Sequence, residues 1–212
     1  MQMSISAAAY STVERRVTPD KAPPLRLEEI RSKALALFAE RGFAQVGMRE
    51  LALHLGMGTG SLYNYFESKE NLLFEFIEEL YQALFKALLR TEKHAAPDRL
   101  EALVKAHIAL HKRWGLHFLL AEREFCCLCG EHQQHILQMR SCYEAQMLTL
   151  SIEAGAVGAP AVLRGTIHSV VSWLNNLPDW QQMGGLIPAQ QQEVFNSIAL
   201  GALSAVLKSP AE

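Results

Sequence analysis

The 212 residues carry 20 Lys and Arg side chains against 22 Asp and Glu side chains, which gives a formal net charge of -2. A balance so close to neutrality excludes bulk basicity as a way of binding nucleic acid, so any such binding must depend on a local patch. Half of the residues are apolar, enough for a substantial core. The length fits one medium domain, or a small domain fused to a larger one.

The N-terminal sequence and the cysteines favour a cytoplasmic protein. The first 16 residues contain no basic region followed by a sustained apolar stretch, so we expect neither a secretory signal nor a membrane anchor. No run approaches the 18 consecutive apolar residues of a membrane span. Three of the four cysteines lie within residues 126–129, a spacing that does not resemble a disulfide framework and fits a reducing compartment.

Apolar residues recur at helical spacing from Leu27 to the end of the chain, and no long stretch alternates apolar and polar residues. The sequence therefore predicts an all-α fold. Glycine and proline positions, among them Gly115 and Gly130, divide it into segments. Residues 1–24, with three prolines, are predicted to form a flexible arm. The helices expected after the first three span Lys69 to about Arg90, then 98–114, 116–129, 131–154, 160–177 and 188–207.

Residues 49–66 have the pattern of two short helices joined by a glycine turn. Leu51 and Leu55 give the first helix an apolar face, and Gly56 is suited to the left-handed position that ends a helix. In the second helix Leu62 and Phe66, four residues apart, can face a core. This arrangement is typical of a helix-turn-helix whose second helix reads DNA.

The remaining side chains of the second helix are small, polar or tyrosine. Two interpretations are open: an ordinary helical hairpin whose polar face meets only water, or a DNA-facing helix. A solvated face usually carries Glu, Lys and Arg, and residues 59–66 carry none. Hydroxyl, amide and backbone N–H groups can instead donate to phosphates and meet base edges.

The stretch from Leu27 to Leu73 resembles the TetR family of bacterial regulators. The resemblance rests on Arg49-Glu50-Leu51-Ala52 and on the string of residues 60–72, GSLYNYFESKENL. It implies a DNA-binding domain over residues 25–70 and a ligand-binding and dimerisation domain over 71–212. It also implies a ligand-responsive regulator, a repressor, that binds a palindromic operator as a homodimer and is released by a small apolar or amphipathic effector. No cofactor is expected.

The same resemblance assigns roles to individual residues. Gly47 and Gly58 stand where the family usually has a hydroxyl-bearing helix cap, so both caps are expected to depend on backbone or water. Asn64 stands where histidine is common. The basic patch is expected to include the arm residues Arg15, Arg16, Lys21 and Arg26. Thr59, Gly60, Ser61, Tyr63 and Asn64 are expected to face the major groove, Tyr65 and Lys69 the phosphates, and Arg49 the DNA backbone.

The C-terminal two thirds contain large or soft side chains that either pack in the core or line a cavity for an apolar molecule. Arg123-Glu124, Arg140 and Tyr143 resemble the pattern of family members that sense acyl-CoA thioesters. The expected effector is therefore a small molecule, an acyl-CoA being one candidate, with either arginine meeting an acidic group. The predicted effector-binding residues are Trp114, Phe118, Arg123, Arg140, Tyr143, Met147 and Trp173.

Two segments suggest a dimer interface. Residues 160–177 and 188–207 have broader apolar coverage than a one-sided surface helix requires, and small residues in the latter permit close approach. In the family that this chain resembles, the last two helices of each subunit form a four-helix interface. Val170 and Leu203 are predicted to lie in that interface.

Cys126, Cys127 and Cys129, with His132 and His135 nearby, form an alternative sensing centre. Cysteine and histidine are natural zinc ligands, but steps of three residues along one helix rotate by about 60° each and do not converge on one ion. A break at Gly130 would change that geometry. We predict no metal site, and a metal- or redox-sensing regulator is the alternative function.

No catalytic motif is evident, so we do not expect an enzyme. The glycine-rich residues 56–61 superficially resemble a phosphate-binding loop. They follow an amphipathic helix rather than a buried strand, and they lack the Gly-Lys-Ser/Thr ending of a nucleotide-binding loop.

Overall fold

The computed structural model of the protein describes residues 24–177 and 187–207. This part of the chain is helical and contains no strand, so the predicted all-α class is confirmed. The predicted arm and the basic residues Arg15, Arg16 and Lys21 lie outside the described residues, as does the side chain of Arg26. The helices are α1 (Pro24–Arg41), α2 (Met48–His54), α3 (Thr59–Leu62), α4 (Lys69–Arg90), α5 (Ala96–Arg123), α6 (Gly130–Glu153), α7 (Pro160–Asn175) and α8 (Pro188–Leu207).

The first three helices share one apolar core. Phe38 of α1 packs edge-to-face against Phe43, with ring centroids 5.3 Å apart, and Leu51 of α2 and Leu62 of α3 are fully buried beneath them. Phe66 closes the same core at the end of the turn that follows α3. The apolar spacings thus predicted correctly which side chains point inward.

Gly56 determines the angle between α2 and α3. Its φ of 68° is in the left-handed region, where a side chain is strained. The backbone N–H of Met57 donates to Ala52 O and that of Gly56 to Leu53 O, both at 3.0 Å. These two bonds form a Schellman ending, which satisfies carbonyls that the end of α2 leaves open.

Helix α4 has the predicted bounds and joins the two halves of the molecule. Ser68 caps it by accepting the Asn71 backbone N–H at 2.9 Å. Its buried side chains pack against α5 and α6. Ion pairs from Arg31 of α1 to Glu75 and Glu79, and the bond from Lys69 to Phe43 O, join it to the first helices. The predicted domain boundary after residue 70 therefore falls within the first turn of a continuous helix. Five side chains at helical spacing along α4 are buried: Leu73, Phe76, Ile77, Leu80 and Leu84.

Helix α5 runs unbroken for 28 residues, so the predicted interruption at Gly115 is wrong. Gly115 does not adopt a positive φ, and a single helical glycine costs only about 1 kcal/mol relative to alanine. Burial of Ile108 before it and of Phe118 and Leu120 after it favours the continuous helix. By contrast, the predicted break at Gly130 is present, because α6 begins there.

The C-terminal bundle consists of α5 to α8, with α5 contacting each of the other three helices. Val170 and Leu203 are buried within this bundle, at 5% and 2% exposure. Their predicted place in a dimer interface is therefore wrong, since both side chains already serve the protomer's own core. In the part of the chain that the structure describes, every helix is too short or too polar to cross a membrane.

Candidate functional site

The candidate DNA-facing surface is built on a very short helix. α3 spans only Thr59–Leu62, because Asn64 and Tyr65 donate to the carbonyls three residues earlier and tighten the chain into a turn. Leu62 and Phe66 hold this segment on the core. The predicted helix to Phe66 is thus shorter than expected, but its inward residues are correct.

The side chains between these anchors face solvent. Gly60, Ser61 and Asn64 are exposed, Tyr63 is 54% exposed, and Thr59 and Tyr65 are half-buried. Arg49 is exposed on α2. Neither Gly47 nor Gly58 makes a side-chain cap bond, as expected. A continuous polar surface with free helix-start N–H groups is therefore available to a phosphate backbone and to base edges.

Lys69 occupies a different position from the one expected. Its Nζ donates to Phe43 O at 2.7 Å and to Val46 O at 2.8 Å, and it lies 4.0 Å from the centroid of the Phe43 ring. Burial lowers the pKa of Lys69, while neighbouring Glu124 and Cys127 oppose that shift. We therefore revise its main role from a phosphate contact to fastening the turn before α2 onto the start of α4.

The predicted effector residues divide into two groups. Phe118, Tyr143 and Met147 are fully buried between helices of the C-terminal bundle, whereas Trp114 and Trp173 lie partly buried at its margin. A surface depression of about 400 Å³ lies elsewhere, between α5 and α8, lined by residues such as Lys105 and Asn196. Contact between the five predicted side chains and an effector stays a prediction.

The two arginines do not stand free to meet an acidic group. Arg140 donates to Ser172 Oγ at 3.0 Å, and its guanidinium lies 3.8 Å from Glu122 and 3.4 Å from Glu144. Glu122 and Glu144 therefore already balance the charge of Arg140, which corrects the expectation that Arg140 binds an acidic group of the effector. Arg123 is exposed at the last position of α5.

A buried polar cluster that the sequence analysis missed lies at the centre of the bundle. His107 Nδ1 is 3.0 Å from the Tyr143 hydroxyl, and His111 Nε2 is 2.7 Å from Leu174 O. The His111 ring stacks on Phe118, with centroids 3.8 Å apart. Asn175 donates to Glu122 Oε1 at 2.9 Å. The cluster draws its members from α5, α6 and α7, whose apolar residues surround it.

Three polar atoms of this cluster have no hydrogen-bond partner among the described residues: His107 Nε2, His111 Nδ1 and Asn175 Oδ1. A buried polar atom without a partner costs about 1–3 kcal/mol. Such atoms need a partner from outside the chain, either an ordered water or a bound molecule. A signal was present in the sequence, since His107 and His111 lie four apart on the face that carries Val104 and Ile108.

Burial keeps both histidines neutral. It lowers the pKa of His107 to about 3 and that of His111 to about 4. A positive charge on His111 would lower the pKa of His107 further. Asn175 acts in the opposite direction and raises the pKa of His107, although it makes no hydrogen bond of normal geometry to His107 Nε2. Each neutral imidazole can offer one N–H donor and one acceptor to a bound molecule.

The structure gives no support to the alternative sensing centre at Cys126, Cys127 and Cys129. Cys126 and Cys129 are exposed, and the half-buried Cys127 thiol donates to Glu124 Oε2 at 3.7 Å. Burial, the nearby Cys126 and the Glu124 carboxylate raise the pKa of Cys127, which disfavours the reactive thiolate. Nothing in the described structure favours the metal- or redox-sensing alternative at these three sulfurs.

A short helix-turn-helix with an exposed polar second helix, joined to a helical bundle, defines a DNA-binding regulator. A sequence model described as "Bacterial regulatory proteins, tetR family" matches residues 30–76, which include the whole helix-turn-helix. The helix-turn-helix segment of this chain is therefore that of the TetR family of bacterial transcriptional regulators. The curated relatives that it matches are named as transcriptional repressors or regulators.

Relatives and solved structures extend the similarity along the chain. The transcriptional repressor KstR2 of Mycolicibacterium smegmatis is 35% identical over 68 residues, which cover 32% of this chain and 33% of that protein. KstR2 of Mycobacterium tuberculosis is 25% identical over 189 residues, covering 84% of this chain and 93% of that protein. Its solved structure, titled as a ketosteroid transcriptional regulator, has a TM-score of 0.72 at 22% identity and covers 92% and 100% of the two chains.

A third similar protein is AibR, whose structure was solved in complex with isovaleryl coenzyme A and operator DNA. It has a TM-score of 0.70 at 22% identity, covering 82% of this chain and 97% of that chain. At this identity the likeness concerns the fold. The shared fold extends through the C-terminal bundle, well beyond the residues that the family sequence model matches.

The two buried histidines predict a loss of stability in mild acid. Their folded-state pKa values lie below the unfolded value of about 6.5, so the unfolded chain binds more protons as pH falls below 6.5. Their contribution is therefore fully present above pH 6.5 and is lost towards the folded-state values. Each histidine should add about 1.4 kcal/mol per pH unit to the slope of the unfolding free energy. Urea unfolding from pH 7 to 4.5, at fixed protein concentration, measures it.

The variant His111→Phe keeps a flat ring at the stack on Phe118 and removes one titrating group. Its slope should be shallower by about 1.4 kcal/mol per pH unit than that of the unsubstituted protein, whatever its stability at pH 7. An unchanged slope would show that His111 is protonated alike in the folded and unfolded states.

Proposed function

We propose that this protein is a ligand-responsive transcriptional repressor that binds a palindromic operator as a homodimer and releases it when a small amphipathic effector enters the C-terminal bundle. The proposal rests on one observation: the same chain has an exposed DNA-facing segment and, in the core of its bundle, a polar cluster whose hydrogen bonds are not all made. Helix α4 connects them. Similarity to the KstR2 repressors and to AibR supports the same function.

Residues 59–64 are the proposed reading surface. Their exposed hydroxyl, amide and backbone groups suit close approach to the major groove, and the fixed angle at Gly56 sets how deeply they enter. Arg49, exposed on α2, supplies a phosphate contact, with Tyr65 beside it. A single short segment reads only a few base pairs, so specificity requires two copies on half-sites about one or more helical turns apart.

The proposed dimer interface uses the outer surfaces of α7 and α8. These two helices pack together and leave Val162, Val194 and Ile198 between 42% and 57% exposed. Gly201 and Ala202 of α8 are also exposed and permit close approach of another helix. Apolar and small side chains on two adjacent helices fit a self-complementary, two-fold interface.

The proposed effector has an apolar body and a neutral polar group. The apolar body would lie among the side chains of α5, α6 and α7, and the polar group would complete the hydrogen bonds of His107, His111 and Asn175. Both histidines are neutral at pH 7, and Arg140 is already paired with two carboxylates. A carbonyl or hydroxyl group is therefore favoured over a carboxylate, and an acyl-CoA thioester, as in the AibR complex, has such a carbonyl.

Two substitutions on the proposed DNA-binding surface should lower DNA affinity in distinguishable ways. Tyr63→Ala should cost about 1–3 kcal/mol on a genomic fragment selected by the unsubstituted protein, because it removes a contact at the reading surface. Arg49→Ala should weaken all sequences alike and reduce the salt slope of log K by about one unit. Fluorescence anisotropy over a range of salt concentrations measures both.

Leu89→Ala, an exposed residue in the last turn of α4, is the matched control, and unchanged binding by Tyr63→Ala would contradict the proposed surface.

The interface predicts a monomer when a charge is placed on α8. Ile198→Asp would bury like charges against each other across the two-fold axis, so dimerisation and operator affinity should both be lost. Leu137→Asp changes an equally exposed leucine on α6, and it should stay dimeric. Light scattering gives the masses. A dimeric Ile198→Asp protein would place the interface elsewhere.

The effector site predicts a separation of DNA binding from release. Asn175→Leu removes Asn175 Oδ1, the acceptor of the cluster that lacks a partner. Release of the operator should then need at least about tenfold more effector, because a tenfold change equals about 1.4 kcal/mol, the value of one hydrogen bond. Operator affinity without effector should not change. The titration uses acyl-CoA thioesters of graded chain length beside free coenzyme A and the free acids. Release by the free acids alone would contradict the neutral-group assignment.

A further inference from the structure

Three side chains with metal-binding atoms meet beside the start of α4. Glu70 belongs to the first turn of α4, Cys129 directly precedes α6, and His132 lies in the first turn of α6. One ligand atom from each lies within 4.8 Å of the others. The sequence could not reveal this group, since Glu70 lies about 60 residues before the other two.

The group is already oriented by contacts within the protein. Glu70 Oε1 accepts the Cys129 backbone N–H at 2.9 Å and lies 2.8 Å from His132 Nδ1. The His132 ring stacks on Phe74, with centroids 3.9 Å apart and planes within 10°.

We propose that Glu70, Cys129 and His132 form a binding site for a divalent ion of the Zn²⁺ class, with water as the fourth ligand. One sulfur, one nitrogen and one oxygen donor suit zinc, cobalt or nickel, and a single carboxylate offers too few oxygen atoms for Mg²⁺ or Ca²⁺. The thiol proton, and any proton between His132 and Glu70, leave to solvent on binding. A thiolate and a carboxylate then balance the 2+ charge, so the half-buried site is neutral.

The position of the site gives it a structural consequence. Glu70 follows Phe66, the last anchor of the DNA-facing segment, by four residues, whereas Cys129 and His132 belong to the C-terminal bundle. A bound ion would join the start of α4 to the start of α6 by coordinate bonds in place of hydrogen bonds. The site is separate from the polar cluster around His107, and it is reachable because Cys129 is exposed.

Cobalt titration of the full-length, reduced and metal-free protein tests the proposal without DNA or effector. We expect one Co²⁺ per protomer, a thiolate-to-cobalt charge-transfer absorption, and its disappearance when Zn²⁺ is added. Cys129→Ser should abolish that absorption, and its exposed side chain can change without disturbing the core. Glu70→Gln and His132→Ala should each weaken Co²⁺ binding by at least about tenfold, the loss typical even of residues that only support a ligand.

Two matched controls distinguish this site from its neighbours. Cys126→Ser changes the other exposed cysteine of the same loop, and His135→Ala changes a histidine one turn further along α6 that bonds Glu78 at 3.0 Å. Both should keep the absorption and the affinity. Loss of the absorption in Cys126→Ser with retention in Cys129→Ser would overturn the assignment, as would the absence of stoichiometric Co²⁺ binding by the unsubstituted protein.

Discussion

The packing of α4 against both halves of the protein is the constraint on which the rest of the structure depends. On the DNA-facing side, Arg31 of α1 forms ion pairs with Glu75 and Glu79 and lies over the Phe76 ring. On the other side α4 contacts α5 and α6 along its length. A helix of 22 residues is about 33 Å long and stiff, so displacement at one end is felt at the other.

Contacts in the first turns of α4 explain how the helix-turn-helix and the C-terminal bundle can communicate. The first turn of α4 is tied to the turn before α2 through Lys69 and to α6 through Glu70. Glu78 and His135 repeat the link to α6 two turns further on. Because each contact joins packed helices with few alternative arrangements, a change of packing around α5 and α6 can move the reading segment. A ligand drives such a change only to the extent that it binds one arrangement better than the other.

The core of the bundle contains more polar side chains than stability alone requires. His107, His111 and Asn175 leave three atoms without a hydrogen-bond partner among the described residues, each at a cost to stability. Cores that retain such groups do so for specificity or function. A bound effector that supplied the missing partners would recover this cost.

Local signals in the sequence predicted the elements that local physics determines. The bounds of α4, the left-handed Gly56 and the burial of Leu51, Leu62 and Phe66 follow from spacing and capping, and all agree with the structure. The continuity of α5 through Gly115 depends on the burial of apolar side chains along the whole helix, which cannot be judged from a single glycine. Lys69 and the Glu70, Cys129 and His132 group depend on contacts between distant segments. A basic or sulfur-bearing side chain alone does not show which partner it meets.

Selection of genomic fragments by the purified protein, followed by footprinting of the recovered DNA, tests the central claim most directly. A dimer with two reading segments predicts enrichment of one sequence with two-fold symmetry, protected in two half-sites about one or more helical turns apart. Recovery without sequence preference, or protection of a single asymmetric site, would contradict the account of this protein as an operator-binding dimer.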